Sequence, residues 1–218
     1  MMLRSVFVTG ATGYMGSALV AALLARGHRV QALARKESAH RIPPGAETVL
    51  GDALDSASFA SAIAADTLVH LIGTRHPSPA KAASFQAVDL ASVDAALDAA
   101  RDAGIRHLVY VSVAHPAPLM QAYIAARQAA EDRIRSNGIS ASILRPWYVL
   151  GPGHRWPVLL VPCYAILERL PATREAALRL GLVTREQMLR ALVACVEQGP
   201  SGIRVLDVAA IRSARETA

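Results

Sequence analysis

The run Val6-Phe7-Val8-Thr9-Gly10-Ala11-Thr12-Gly13-Tyr14-Met15-Gly16 constrains the fold more than any other part of the chain. An apolar segment of strand composition ends there in glycines spaced three apart. The next segment, Ala18-Leu19-Val20-Ala21-Ala22-Leu23-Leu24-Ala25-Arg26, consists of strong helix formers, and Gly27 stands where a helix stops in a left-handed turn. Strand, glycine turn, helix and stop in this order open a βαβ unit whose turn cradles a dinucleotide pyrophosphate. Each glycine has a separate physical reason. One permits the tight turn, one lets backbone N–H groups approach the phosphates without a Cβ in the way, and one packs helix on strand. The anion then lies on the positive end of the helix dipole.

Strand-like and helical runs alternate along the rest of the chain, which predicts a parallel sheet covered on both faces. Strands are read at 3–9, 29–34, 47–50, 67–72, 107–112, 140–144 and 203–208. Helices are read at 81–102, closed by Gly104, and at 118–137, stopped by Gly138. A capping box, Thr184-Arg185-Glu186-Gln187, opens another over 188–197, which Gly199-Pro200 ends. The fold class is therefore α/β, a doubly wound parallel sheet in one nucleotide-binding domain over 1–218. A short C-terminal substrate-side segment, 152–183, breaks the alternation with prolines at 152, 157, 162 and 171 and is placed to cover a small-molecule substrate.

Composition excludes several classes. A length of 218 residues suits one domain with a full core. No apolar run reaches the roughly 18 residues of a membrane span; the strongest, 158–167, is interrupted by Pro162. The N-terminal apolar stretch flows straight into the glycine turn without a small-residue cleavage site, so a cytoplasmic location is expected. Cys163 and Cys195 read as two buried thiols rather than a disulfide or metal site. The net charge of +6 comes from basic residues scattered from Arg4 to Arg215 rather than gathered in a stripe, so a solvated surface is expected and nucleic acid is not. The seven histidines lack metal-ligand spacing, and His28, His70 and His107 are read as core or strand-edge residues. The sequence is compatible with a monomer or a dimer.

The residue at the end of the second strand decides which nucleotide is bound: a carboxylate accepts from the 2′-hydroxyl of NAD, whereas Arg accommodates the 2′-phosphate of NADP. Here the strand ends in Arg35-Lys36, about twenty residues past the last glycine, as that rule requires. A guanidinium grips phosphate through paired donors, so NADP is expected over NAD, with Glu37 one residue further partly blunting the preference.

With its G-x-x-G-x-x-G spacing, T-G-A-T-G-Y-M-G resembles the short-chain dehydrogenase/reductase superfamily in its extended and atypical branches, and the likeness runs from Val6 to about Gly153. The resemblance implies a Rossmann sheet binding NAD or NADP through Gly10, Thr12, Gly13, Tyr14, Met15 and Gly16. It places Asp52, with Ala53 beside it, near the adenine amino group, and passes Leu71, Ile72 and Gly73 beside adenine and ribose. Asp52 also reads as a turn residue and Asp55-Ser56 as a helix N-cap, and both roles can hold together. The same resemblance implies a catalytic group of Ser112, Tyr123 and Arg127: the serine orients the substrate oxygen, the tyrosine exchanges its proton, and the cation four residues on shares its helix face and favours phenolate. The superfamily has Lys where this chain has Arg127, and Arg is bulkier, planar and unable to relay a proton. Arg145-Pro146-Trp147-Tyr148-Val149-Leu150-Gly151-Pro152-Gly153 resembles the stretch that lies along the nicotinamide in atypical members, which gives Pro146, Trp147, Tyr148 and Val149 that role. His154, Arg155 and Trp156 stand at the entrance to the substrate-side segment. Two functions follow: hydride transfer between a nicotinamide and a small carbonyl or quinone-like substrate, favoured by Ser112 and Tyr123, and a non-catalytic nucleotide-binding sensor or accessory subunit, favoured by Arg127.

Overall fold

The computed structural model describes residues 3–74, 77–151 and 171–215. Seven strands, β1 (Ser5–Thr9), β2 (Arg29–Ala34), β3 (Glu47–Leu50), β4 (Thr67–His70), β5 (His107–Val111), β6 (Ser140–Leu144) and β9 (Ile203–Leu206), form one sheet in the order β3-β2-β1-β4-β5-β6-β9. Every neighbouring pair is parallel. The seven strands lie where the sequence reading puts them, with shorter ends: β1 begins at Ser5 rather than 3, β4 ends at His70 rather than 72, β5 at Val111 rather than 112, and β9 at Leu206 rather than 208, because a helix starts at Val208.

Successive strand residues point to opposite faces, and in the inner strands both faces are buried, which explains their mostly apolar runs, while the edge strands β3 and β9 are largely exposed. Val6, Val8, Ala32, Val69 and Val109 pack against helices α1 (Tyr14–Ala25) and α6 (Arg185–Gln198). Phe7, Leu33, Leu68, Leu108, Tyr110 and Ile143 pack on the other side against α3 (Ala91–Asp102) and α4 (Gln121–Asn137). Helix α1 buries Gly16, Leu19, Val20 and Leu23, one stripe at helical spacing. Each of its three branched side chains contributes about 1.5–3 kcal/mol of burial. The capping box of α6 is present as read, with the Thr184 hydroxyl accepting from Gln187 N–H and the Gln187 amide oxygen accepting from Thr184 N–H. Near the C-terminus, α7 (Val208–Ser213) is capped by Asp207.

Two elements depart from the sequence reading. The helix expected over 81–102 is a 3₁₀ turn (Pro79–Lys81), a short α2 (Ala82–Ser84), a π-helical turn (Phe85–Leu90) and then α3. The helix expected from 118 begins at Gln121, because Met120 takes a left-handed conformation (φ 61°) that stops it extending backwards. The substrate-side segment 152–183 lies partly outside the described residues, as do His154, Arg155, Trp156 and Cys163. Its described end forms α5 (Pro171–Arg179) and β8 (Leu182–Thr184), which pairs in parallel with β7 (Tyr148–Leu150) as a two-stranded ribbon apart from the main sheet.

Candidate active site at the carboxyl ends of the strands

The strand order reverses between β1 and β4, so the loops after these strands diverge and leave a crevice at their carboxyl ends, the place where open α/β sheets bind ligands. The glycine turn forms one wall. Gly10 has φ 73°, and a Cβ there would stand 2.9 Å from the carbonyl of Leu71, so the turn approaches the β4 loop at backbone distance. Gly16 lies against the turn itself: a Cβ would come 2.1 Å from the Gly10 oxygen and 2.8 Å from the Ala11 Cα. Gly13 is different, since a Cβ would meet only the Gly10 oxygen at 3.1 Å and otherwise project into open space. Gly13 N–H donates to Gly10 O at 3.0 Å and closes the turn. No side chain caps α1 through Gly13 and no acidic residue stands in its first turn, so the helix's own residues leave its positive end uncompensated. These residues fit a pyrophosphate. Thr12 lies in the turn, and Tyr14 and Met15 open the helix. The Tyr14 ring carries the Arg185 guanidinium 4.6 Å from its centroid and packs on Gly151, where a Cβ would stand 1.8 Å from the phenolic oxygen.

At the end of β2, Arg35 and Lys36 are exposed, and neither forms an ion pair among the described residues. Beyond β3, Asp52 is exposed, its Oδ1 accepts from Leu54 N–H at 3.0 Å, and Asp55 caps the following 3₁₀ turn through Ala57 N–H. Ala53 sits in the same turn. After β4, Leu71 N–H donates to Thr9 O at 3.2 Å, and Leu71, Ile72 and Gly73 are half-buried along the crevice.

Tyr123 and Arg127 lie on the face of α4 that meets this crevice. The guanidinium carbon of Arg127 is 5.1 Å from the Tyr123 ring centroid. Phe85, from the π turn, meets the same ring edge-on at 5.1 Å. Arg127 is buried: it donates to Asp89 Oδ1 (2.7 Å), to the Tyr110 hydroxyl (3.1 Å) and to the Val111 carbonyl (2.9 Å). A Cβ on Gly73 would stand 2.3 Å from its Nη2, so the guanidinium underlies the β4 loop directly. Burial opposes the charge of Arg127, but Tyr110, Tyr123 and Asp89 outweigh it and raise its pKa. Tyr110 remains a phenol, because burial raises its pKa against the pull of Arg127.

Ser112 is buried at the end of β5 and donates to Glu131 Oε1 at 2.6 Å. Glu131 also accepts from Arg145 Nε at 2.9 Å, and from Arg145 Nη2 and Arg135. Burial alone would raise the pKa of Glu131; hydrogen bonds from Arg145 and Ser112 outweigh it and hold the carboxylate below its ordinary range. Pro146 is buried, its carbonyl accepting from Ala114 N–H at 2.9 Å, and Trp147 packs with Val113, Ala117 and Ile124 near Tyr123. Tyr148 and Val149 lie in β7. The sequence reading did not single out Asp89, Thr74, Tyr110 or the role of Glu131. Arg127 and Glu131, charged residues one helical turn apart among buried Ile124, Ala126, Ala130 and Ile134, were the available signal. Among the described residues no three metal-ligating side chains gather and no helix is long and apolar enough to cross a membrane.

A doubly wound sheet with a glycine turn at its reversal point is a dinucleotide-binding architecture. Residues 10–155 match the family model described as NAD(P)H-binding, and the chain belongs to that family, an atypical, epimerase-like group of short-chain dehydrogenases/reductases. It is 32% identical over 196 residues to a ceramide reductase of Caulobacter vibrioides, covering 87% of this chain and 60% of that protein. It is 34% identical over 187 residues to a 3-diazoavenalumate denitrifying reductase of a Streptomyces species, covering 83% of this chain and 54% of that protein. The chain thus spans little more than half the length of these relatives. In structure it is similar to a UDP-galactose 4-epimerase (TM-score 0.70, 20% identity, 93% of this chain and 76% of that one). It is also similar to WbmH of Bordetella bronchiseptica in complex with NAD+ (TM-score 0.69, 21% identity, 94% and 76%). At these identities the likeness to solved structures concerns the fold.

Proposed function

We propose that the protein is a cytoplasmic, NADP-preferring reductase of a small carbonyl or quinone-like substrate. One observation carries this reading: Tyr123 stacks on a guanidinium that itself underlies Gly73, so the proton-bearing residue and the nucleotide crevice are one assembly. The reductase relatives agree with it. The bound nucleotide would supply hydride. The glycine turn would hold the pyrophosphate at the N-terminus of α1, and Arg35 with Lys36, which form no ion pair among the described residues, would meet the 2′-phosphate of NADP. Tyr123 gives its proton to the substrate oxygen as negative charge develops there, and the packing of Phe85 and Arg127 fixes its ring. Ser112 orients substrate only after its hydroxyl leaves Glu131; in the arrangement described it anchors α4 to the end of β5.

NADPH oxidation over a panel of carbonyl and quinone substrates tests the reading. Turnover that collapses in Tyr123→Phe supports it, and turnover indifferent to that change removes Tyr123 from the chemistry.

A second reading, a nucleotide-binding sensor without turnover, is favoured by a specific observation. The Arg127 Nη groups and the Ser112 hydroxyl donate to Asp89, Tyr110, Val111 and Glu131 within the protein. Tight NADPH binding with no oxidation across the panel is the result that reading expects.

A further inference from the structure

Asp89 is 1% exposed and lies in the π turn that interrupts the helix between the β4 loop and α3. A π turn widens the helix by one residue and re-aims the side chains it carries, and such turns gather at functional sites. Both oxygens of this carboxylate are used. Oδ1 accepts from Arg127 Nη2 at 2.7 Å, while Oδ2 accepts from Thr74 N–H at 3.0 Å and from the Thr74 hydroxyl. Thr74 follows Gly73 in the β4 loop, and Arg127 carries the Tyr123 ring on its other side. One buried carboxylate therefore joins the wall of the nucleotide crevice to the residue assigned to proton transfer.

We propose that Asp89 is a positioning residue with two functions: it sets the separation between the Gly73–Thr74 wall and the Tyr123 ring, and it cancels the charge of Arg127, so that Tyr123 works beside a neutral ion pair rather than a bare cation. The second function rests on the reductase reading; the first requires only that nucleotide binds. The other groups facing this pair are Tyr110, whose hydroxyl accepts from Arg127, and His70, whose imidazole is held between the Thr9 and Ser92 hydroxyls. Burial and Arg127 keep His70 neutral by lowering its pKa to about 3, so Asp89 supplies the pair's only negative charge among the described residues.

Three variants separate these functions. Thr74→Val removes the hydroxyl half of the loop arm and leaves its backbone N–H bond to Asp89, Asp89→Asn leaves Arg127 uncompensated at constant volume, and Asp89→Leu with Arg127→Met removes the whole arm and the pair without leaving a buried charge, so it remains usable if the single Asn variant fails to fold. NADPH dissociation constants, read by nucleotide fluorescence, should rise severalfold in both Asp89 variants relative to wild type and by less in Thr74→Val, which keeps the backbone bond. The kcat pH profile divides them. Asp89→Asn should lose about tenfold in kcat through misplacement of the ring, and its alkaline limb should move down by roughly one pH unit, the effect expected of an exposed neighbouring cation. Thr74→Val and the double variant should keep the alkaline limb of wild type. Wild-type affinity in the double variant would overturn the loop function, and an unmoved limb in folded Asp89→Asn would overturn charge cancellation. If wild type binds NADPH but turns over no substrate, the reductase reading and the charge function fall together, while the dissociation constants still decide the loop function.

Discussion

The three glycines of the turn look alike in sequence and should behave differently when substituted. Gly13 has φ −81° and ψ 173°, a conformation any residue adopts, and a Cβ there meets one oxygen at 3.1 Å, which yields with a shift of a few tenths of an ångström. Replacing it by valine also removes unfolded-state freedom worth about 0.4–1 kcal/mol, so the nucleotide-free protein should stay within about 1 kcal/mol of wild type. For a chain of this size that is a change in Tm of roughly 2–4 °C. Gly16→Ala drives a Cβ to 2.1 Å from the Gly10 oxygen and 2.8 Å from the Ala11 Cα, both backbone atoms, and forces α1 away from β1 at about 1–3 kcal/mol or more. Nucleotide binding should reverse the order of damage per folded molecule. In Gly13→Val the side chain projects over the N-terminus of α1, where the pyrophosphate would accept charge-assisted hydrogen bonds worth about 1.5–3 kcal/mol each. Losing two of them removes about 3–6 kcal/mol, at least a hundredfold in affinity. Thermal melts without nucleotide and calorimetric titration with NADPH measure both quantities on the same samples. A folded Gly13→Val protein with wild-type affinity refutes the placement of the pyrophosphate. A Gly13→Val protein as unstable as Gly16→Ala shows that the open space at Gly13 is not there.

Other outcomes follow from the same structure. Replacing Arg35 and Lys36 by Ala should weaken NADPH binding by about tenfold or more while leaving NADH nearly unchanged; equal losses in calorimetry would give the pair another role. Tyr123→Phe should lower turnover by about a hundredfold or more with NADPH affinity intact, since a positioned general acid contributes that much. Acid should destabilise the fold through two core histidines: burial, reinforced by neighbouring arginines, lowers the pKa of His70 to about 3 and of His107 to about 4. Both are neutral in the fold and take up protons on unfolding. Their contribution is full above about pH 6.5 and is lost as pH falls toward 4 and then 3, by up to about 1.4 kcal/mol per pH unit for each imidazole. Chemical denaturation from pH 7 to 4 should show this slope, and His70→Asn with His107→Asn should flatten it.

How much of this was legible in the sequence depended on the kind of pattern involved. The inner strands of the sheet were visible because both faces are buried and their runs are mostly apolar between turn residues, whereas the exposed edge strands β3 and β9 were read from their β-branched and aliphatic residues and their place in the alternation. The cap of α6 was visible because Thr184 and Gln187 form a local hydrogen-bonded signature. The β7–β8 ribbon was not, since strands of three residues carry no period and find each other across 31 intervening residues. The π turn was hidden for a related reason: composition over 81–102 favours helix throughout, and nothing in it reports a change of hydrogen-bond register. At the site, the spacing of Tyr123 and Arg127 correctly put them on one face, but Asp89 lies 38 positions before Arg127, and only the fold shows that its carboxylate takes up this cation. Ser112 and Glu131 were likewise separate motifs until β5 and α4 brought them together.

The central claim is that a nicotinamide nucleotide lies across the glycine turn with its reactive ring beside Tyr123. The crystal structure of the NADPH complex measures this directly, through the distance from the Tyr123 oxygen to nicotinamide C4. A substrate carbonyl held at hydrogen-bond distance from the phenol and near-attack distance from C4 requires that separation to be about 4–6 Å. A value in that range, with the pyrophosphate over Gly13, is the expected result; a ring directed away from Tyr123, or a nucleotide bound elsewhere than the turn, would contradict the account.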